Sequence, residues 1–262
     1  MRQMLWSAIE SWRTQCLLLL LFLLLSVSGC MSLSNGKPPG PWHDAYQPIE
    51  DADTEAFLAE VLELARAEFG EPVIPINRIL LRRSRKTLEA SRYRIGEDFS
   101  LTECVDPTNG VFVVYIGVDP GHSNYYALLA HECVHLLNPQ ITDWYMEGIA
   151  TVFSEQACAV LDKEWGDWKR HFIKSRRDPY ALSYRMMSEL LDMFPEHYPQ
   201  LIHYTAPNGN GSAQWQRIDI DLWIGSLPEG RQQEALDIID PYIDVLRRNT
   251  GKLYDFAVPS GL

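Results

Sequence analysis

His131-Glu132-Cys133-Val134-His135, followed after a short gap by Trp144-Tyr145-Met146-Glu147-Gly148-Ile149-Ala150, is the stretch around which this 262-residue chain is organised. On an α-helix, residues four apart stand on one face about 6 Å apart along the axis, so both imidazoles can reach a single ion. Glu132 sits beside them, about 100° round the helix. Two histidines so spaced, with a glutamate next to the first, match the pattern in which the imidazoles hold Zn²⁺. The glutamate then serves as general base on a water activated by the ion.

The flanks agree with a buried helix. Asn124 stands at the N-cap position, and Tyr125, Ala127, Leu128, Leu129, Val134, Leu136 and Leu137 make the segment strongly apolar up to Asn138-Pro139. Upstream, Val111-Phe112-Val113-Val114-Tyr115-Ile116-Gly117-Val118 is β-branched and aromatic and follows a turn at residues 106–110. It predicts a strand beside the helix, with room for an extended peptide along one sheet edge.

A catalytic zinc takes three protein ligands and keeps one position open. A second helix opening at Asp143 carries Glu147 as the leading third ligand, with Asp143 as the alternative, although a carboxylate at a helix start is more often a cap. Gly148 is a poor helix residue by propensity and is expected to let this helix approach the first closely. A metzincin spacing fails, because it needs Gly and His where the chain has Asn138 and Ile141.

HECVH followed by WYMEGIATVFSE resembles the gluzincin branch of zinc metallopeptidases, in particular small peptidase-MA-like proteins whose HExxH is followed by an EGxA-type glutamate helix. The resemblance is close over residues 125–158. The gap between His135 and Glu147 is shorter than in thermolysin-like enzymes. It implies a zincin-like α+β fold, His131, His135 and Glu147 as zinc ligands, and Glu132 as the catalytic base. Related enzymes also use a Tyr or His from a later element as a donor to the tetrahedral oxyanion. Tyr184 is the leading candidate for that role, with His171 and His203 behind it.

The N-terminus speaks of location. Arg2 and Arg13 precede an almost pure Leu run from Cys16 to Val27, and Val27-Ser28-Gly29-Cys30 follows. This resembles a bacterial lipoprotein signal peptide over residues 1–29, with Cys30 as the lipidated first residue. The apolar run is shorter than the roughly 20 residues of a spanning helix, which weighs against the alternative of an uncleaved anchor. Two or more acyl chains anchor stably at a membrane. Met31 after Cys30, by the same resemblance, favours the outer membrane facing the periplasm. Residues 30–48, rich in Pro and Gly, form a tether, and residues 49–262 suit one domain with its own core.

A net charge of −12 argues against nucleic acid as a partner. Cys104, Cys133 and Cys158 remain in the domain, and either Cys104 bridges Cys158 or no bridge forms. A first helix is expected from Asp53 or Thr54 to Gly70, a strand over residues 76–81, and one or two more over residues 92–103. These make a small, mostly antiparallel sheet packed on the active-site helix, followed by a largely helical C-terminal part. The basic cluster Arg82-Arg83-Ser84-Arg85-Lys86, with Arg92 and Arg94, reads as a solvated face pairing with local carboxylates, or as a site for anionic headgroups or substrate. Residues 218–224 alternate like a strand without an obvious sheet to join. A helix over residues 180–194 and a last one over residues 229–248, broken at Pro241, complete the reading.

The function expected is that of a membrane-anchored zinc peptidase acting on protein or peptide. Two other readings share the same residues: a zinc amidase on cell-wall amides, and a non-catalytic envelope lipoprotein that keeps the zincin shell as a binding module.

Overall fold

A strand buried on both faces has no polar side to show, and the unbroken apolar run at residues 111–116 becomes such a strand. In the computed structural model, which describes residues 43–84, 100–208, 215–250 and 254–262, the sheet has four strands. They are β1 (Tyr46–Pro48), β2 (Arg78–Ser84), β3 (Leu101–Asp106) and β4 (Val111–Ile116), in the order β1-β2-β4-β3. The β1/β2 and β3/β4 pairs are antiparallel, whereas β2 and β4 run parallel. Two of the three pairings are thus antiparallel, as expected of a mostly antiparallel sheet, and the central one is parallel. The chain crosses to β3 on the far edge and returns through a hairpin to β4, which leaves β4 alongside β2 in the same direction.

That hairpin is built by its side chains. Asp106 accepts from the Asn109 backbone N–H at 3.1 Å and from its amide at 2.7 Å. Gly110 then takes φ +62°, where an added Cβ would lie 2.0 Å from the Pro75 carbonyl oxygen, so only glycine fits.

The helices follow as α1 (Ala52–Phe69), α2 (Tyr125–His135), α3 (Trp144–Val160), α4 (Trp168–Lys174), α5 (Pro179–Met193), α6 (Ile220–Ser226) and α7 (Gln232–Arg248), with 3-10 turns at His43–Ala45 and Tyr198–His203. A two-stranded ribbon, β5 (Thr205–Pro207) with β6 (Gln216–Ile218), precedes α6. The arrangement is mixed α and β, with a small sheet first and helices dominating afterwards. All the described residues belong to one unit, Lys37–Leu262.

One core fills the space between the sheet and the helices. Phe112, Val114 and Ile116 of β4 share one buried cluster with Leu128, Leu129 and Ala130 of α2 and with the buried face of α3, while Val113 and Tyr115 pack with Tyr46 and Val105 on the opposite side. Burying side chains of this size contributes roughly 1.5–3 kcal/mol each. Helix α1 backs α2: Phe57 meets the Tyr126 ring at 4.7 Å, and Thr54 and Tyr125 share a hydroxyl hydrogen bond of 3.1 Å.

Several boundaries move from the sequence reading. The cap of α1 is Asp51, whose carboxylate accepts from the Thr54 N–H at 3.0 Å. Residues 218–224 split into the end of β6 and the helix α6, whose cap is Asp219. Pro241 sits inside an unbroken α7. The three domain cysteines are free. Within the basic cluster, Arg82 donates to the Tyr46 carbonyl at 2.7 Å and Arg83 pairs with Asp119, so these two are spent internally. Arg85, Lys86, Arg92 and Arg94 lie outside the described residues, as do Cys30 and the whole leader. Among the described residues no helix is long and apolar enough to cross a membrane.

Gly148 does bring two helices together, although not the expected pair. A Cβ there would stand 2.4 Å from Met187 Cγ and 2.6 Å from the Ser183 carbonyl oxygen. The close approach is between α3 and α5.

Candidate metal centre

Helix α2 is buried almost throughout, so its two histidines do not face open solvent: His131 is 6% exposed and Glu132 4%. Helix α3 starts at the cap Asp143, which accepts from the Met146 N–H at 2.7 Å and also from the Ile218 N–H. Both carboxylate oxygens of Asp143 are thus given to backbone donors. The cap sets the first turn of α3 so that Glu147, 5% exposed, faces α2.

The result is a triad of ligand atoms. His131 Nε2 lies 3.2 Å from Glu147 Oε2, His135 Nε2 lies 3.4 Å from His131 Nε2, and His135 Nε2 lies 3.6 Å from Glu147 Oε1. A tetrahedral ion with ligands at about 2.0–2.1 Å has ligand-to-ligand edges of about 3.3–3.4 Å. The observed spacings bracket that edge, and the buried His131, His135 and Glu147 form a group that can hold a metal ion. Asp143 is not part of it.

Electrostatics keep the group poised. Burial lowers His135 to about 4, which leaves its imidazole neutral with a lone pair to give. Burial also works to lower His131, but the hydrogen bond and charge of Glu147 override it, and the net shift is upward. Glu147 is lowered, because the two histidines outweigh its burial. A proton on His131 holds the place that a cation would take.

Glu132 stands apart from this triad and is held differently. The Thr102 hydroxyl on β3 lies 2.8 Å from the Glu132 carbonyl oxygen and 3.0 Å from its Oε2. Burial pushes the Glu132 carboxyl up to about 7. That value suits a group that must take and return a proton near neutrality.

Tyr184, His171 and His203, the expected oxyanion donors, make their contacts elsewhere. Tyr184 donates its hydroxyl proton to Glu155 at 2.5 Å, and its ring packs on Trp165 and Phe172. His171, more than half exposed, pairs with Asp178, and the His203 ring lies against Gly70. His122 accepts from the Asn124 N–H in a local turn. Glu155 is shared between Tyr184 and Lys169.

Five residues in or around the site went unread in the sequence. Thr151 is four residues beyond Glu147 and so on the same helix face, a signal that was available. Thr102 reaches Glu132 only through sheet register. Tyr180 and Tyr254 share a hydroxyl hydrogen bond of 2.9 Å; burial and then the charge of Glu147 raise Tyr180, while the charge of Glu147 and then burial raise Tyr254. Trp168 sets its ring edge-on to His131 at 6.4 Å. No family model, no curated protein and no solved structure matches the chain.

Proposed function

We propose that this chain is a zinc-dependent peptidase of zincin-like fold, anchored to a bacterial membrane through Cys30. The observation that carries the reading is the spacing of His131, His135 and Glu147 at tetrahedral edge lengths, with Glu132 adjacent to His131 on the same buried helix. The donor set of two imidazoles and one carboxylate is a zinc set with a position left for substrate or water.

Zinc, when bound, supplies the positive charge that lowers the pKa of water towards about 7 and polarises a carbonyl. The remaining steps belong to the chain's own residues. Glu132 takes a proton from the attacking water as the new carbon–oxygen bond forms, then gives it to the amide nitrogen as the carbon–nitrogen bond breaks. Thr102 tethers Oε2 of Glu132, which leaves Oε1 for that proton. An extended peptide fits beside this group: β3 pairs only with β4 among the described residues, and its Thr102 touches Glu132. Strand addition to that edge would run a backbone past the general base.

The test is metal content and hydrolysis of unfolded casein by wild type, His131→Ala, Glu147→Ala and Glu132→Gln. One zinc per chain in wild type, lost or greatly weakened in the first two variants, is expected. Glu132→Gln should keep zinc and lose at least about 100-fold in turnover. A zinc-loaded wild type inactive on casein but active on isolated cell-wall fragments would replace peptidase with amidase, and one inactive on both would leave a binding module.

A further inference from the structure

Helix α4 joins the metal group to an exposed patch of cations. Its first residue, Trp168, sets its ring edge-on to His131 at 6.4 Å, and Phe172 packs on the Trp165 and Tyr184 rings. Its far end is open to solvent. Ile173 is 61% exposed, and Lys174, Arg176 and Arg177 beside it are exposed as well.

In a chain of net charge −12, residues 167–178 carry five Lys or Arg against two carboxylates. Both carboxylates are already engaged. Asp167 pairs with Arg170 at 3.2 Å, and Asp178 binds His171 and caps α5 through the Tyr180 N–H. Lys169 is taken up by Glu155 at 2.8 Å. Among the described residues, Lys174, Arg176 and Arg177 are left with no ion pair and no side-chain hydrogen bond.

The turn that presents them is held in place. Arg185 of α5 donates to the Phe172 and Ser175 carbonyls where α4 ends, and the Asp178 N–H donates to the Ser175 hydroxyl at 3.3 Å. Fixing three like charges close to a fourth, Arg185, is unfavourable unless an anionic partner offsets it. A bilayer surface suits the whole set, because lipid phosphates meet the cations while the headgroup layer takes in the exposed isoleucine. An acidic polypeptide would satisfy the charges but leave Ile173 in water.

We infer that the surface formed by Ile173, Lys174, Arg176 and Arg177 docks on anionic phospholipid, so that the protein lies against the bilayer with α4 between the headgroups and the metal group. A seven-residue helix spans roughly 10 Å, which brings the metal group close to the membrane surface. The inference rests on the membrane location proposed above and is independent of the hydrolase chemistry.

The experiment reconstitutes the full-length protein in vesicles of phosphatidylcholine alone or of an equimolar mixture with phosphatidylglycerol, and reads by mass spectrometry how fast an uncharged reagent acetylates Lys174. Each cation near an anionic surface is worth about fivefold in partition, on the order of 100-fold for three. Lys174 should therefore react at least about tenfold more slowly in the anionic vesicles, and salt at roughly 1 M, with a Debye length of about 3 Å, should remove the protection. Arg176→Glu/Arg177→Glu and Ile173→Asp, each as stable as wild type in thermal unfolding, should lose it too. Lys174 rates within about threefold of each other in the two kinds of vesicle, or protection retained in both variants, overturn the inference. Protection by soluble poly-glutamate and not by anionic vesicles also overturns it and gives the patch to acidic polypeptides. Flotation with the neutral vesicles reads the anchor separately: a protein left behind overturns the anchoring reading, while Lys174 in the presence of anionic vesicles still decides the patch.

Discussion

The hydroxyl of Thr151 lies 3.2 Å from His131 Nδ1 while donating its only proton to the Glu147 carbonyl at 2.7 Å. It must therefore accept from His131, which keeps a proton on Nδ1 and leaves Nε2, the atom facing Glu147 and His135, as the one that can bind an ion once its own proton is displaced. A buried contact of this kind sets the tautomer and ring angle of a ligand before any ion arrives. Thr151→Val should weaken zinc affinity about 10–100-fold in a protein that still folds, and Thr151→Ser should retain most of it. Competition against a chelator of known affinity measures both. Equal affinity in Thr151→Val and wild type would mean that packing alone orients His131.

Gly148 is the contact point of α3 with α5, and its neighbour Glu147 belongs to the group that can hold an ion. Alanine there gains about 1 kcal/mol of helix propensity. It also forces a methyl to within 2.6 Å of the Ser183 carbonyl and 2.4 Å of Met187 Cγ, and the backbone oxygen has little freedom to retreat. Overpacking of this kind costs about 1–3 kcal/mol and occasionally more. Gly148→Ala is expected to lower the unfolding midpoint in urea and to weaken zinc binding, since α3 must shift to relieve the clash. A variant as stable as wild type would show that α5 moves aside freely.

The sequence made the metal group legible because its parts are local. His131 and His135 are one turn apart, and Glu147 opens the next helix behind a readable cap at Asp143. Strand β4 was legible for the same reason, as an apolar run of strand length after a turn. What was not legible depends on long-range register. Thr102 reaches Glu132 because β3 returns beside β4, and residues 254–257 lie against the start of α3 because Asp255 pairs with Thr142 and Trp144. The parallel β2/β4 pairing likewise leaves no local signature. Tyr184 and Tyr180 are one helical turn apart on α5. Only the partners, Glu155 for one and Tyr254 for the other, separate them.

Zinc bound to the folded state alone should stabilise it by mass action. At a free concentration 100-fold above Kd the gain is about 2.7 kcal/mol. Excess chelator should therefore lower the thermal midpoint of wild type and leave His135→Ala, which lacks a ligand, nearly unmoved. Differential scanning calorimetry with and without chelator reads the difference. An equal drop in both proteins would place the stabilising ion somewhere other than this triad.

Glu132 gives a pH dependence whose direction is fixed. In the zinc-free folded protein, burial raises its carboxyl from 4.5 to about 7, so between those values the folded state holds a proton that the unfolded chain has released. The stabilisation is full below about pH 4.5 and is lost as pH rises through 7, for a total on the order of 3 kcal/mol. Glutamine at this position never ionises and escapes the loss. The thermal midpoint of Glu132→Gln minus that of wild type, both in chelator, should grow by on the order of 5–10 °C between pH 4.5 and pH 8. Asp143, also raised to about 7 by burial, and His135, lowered to about 4, titrate in both proteins and largely cancel in the difference. A gap that stays flat across this range would mean that Glu132 is ionised in the folded protein throughout, held so by Thr102 and His131 against its burial.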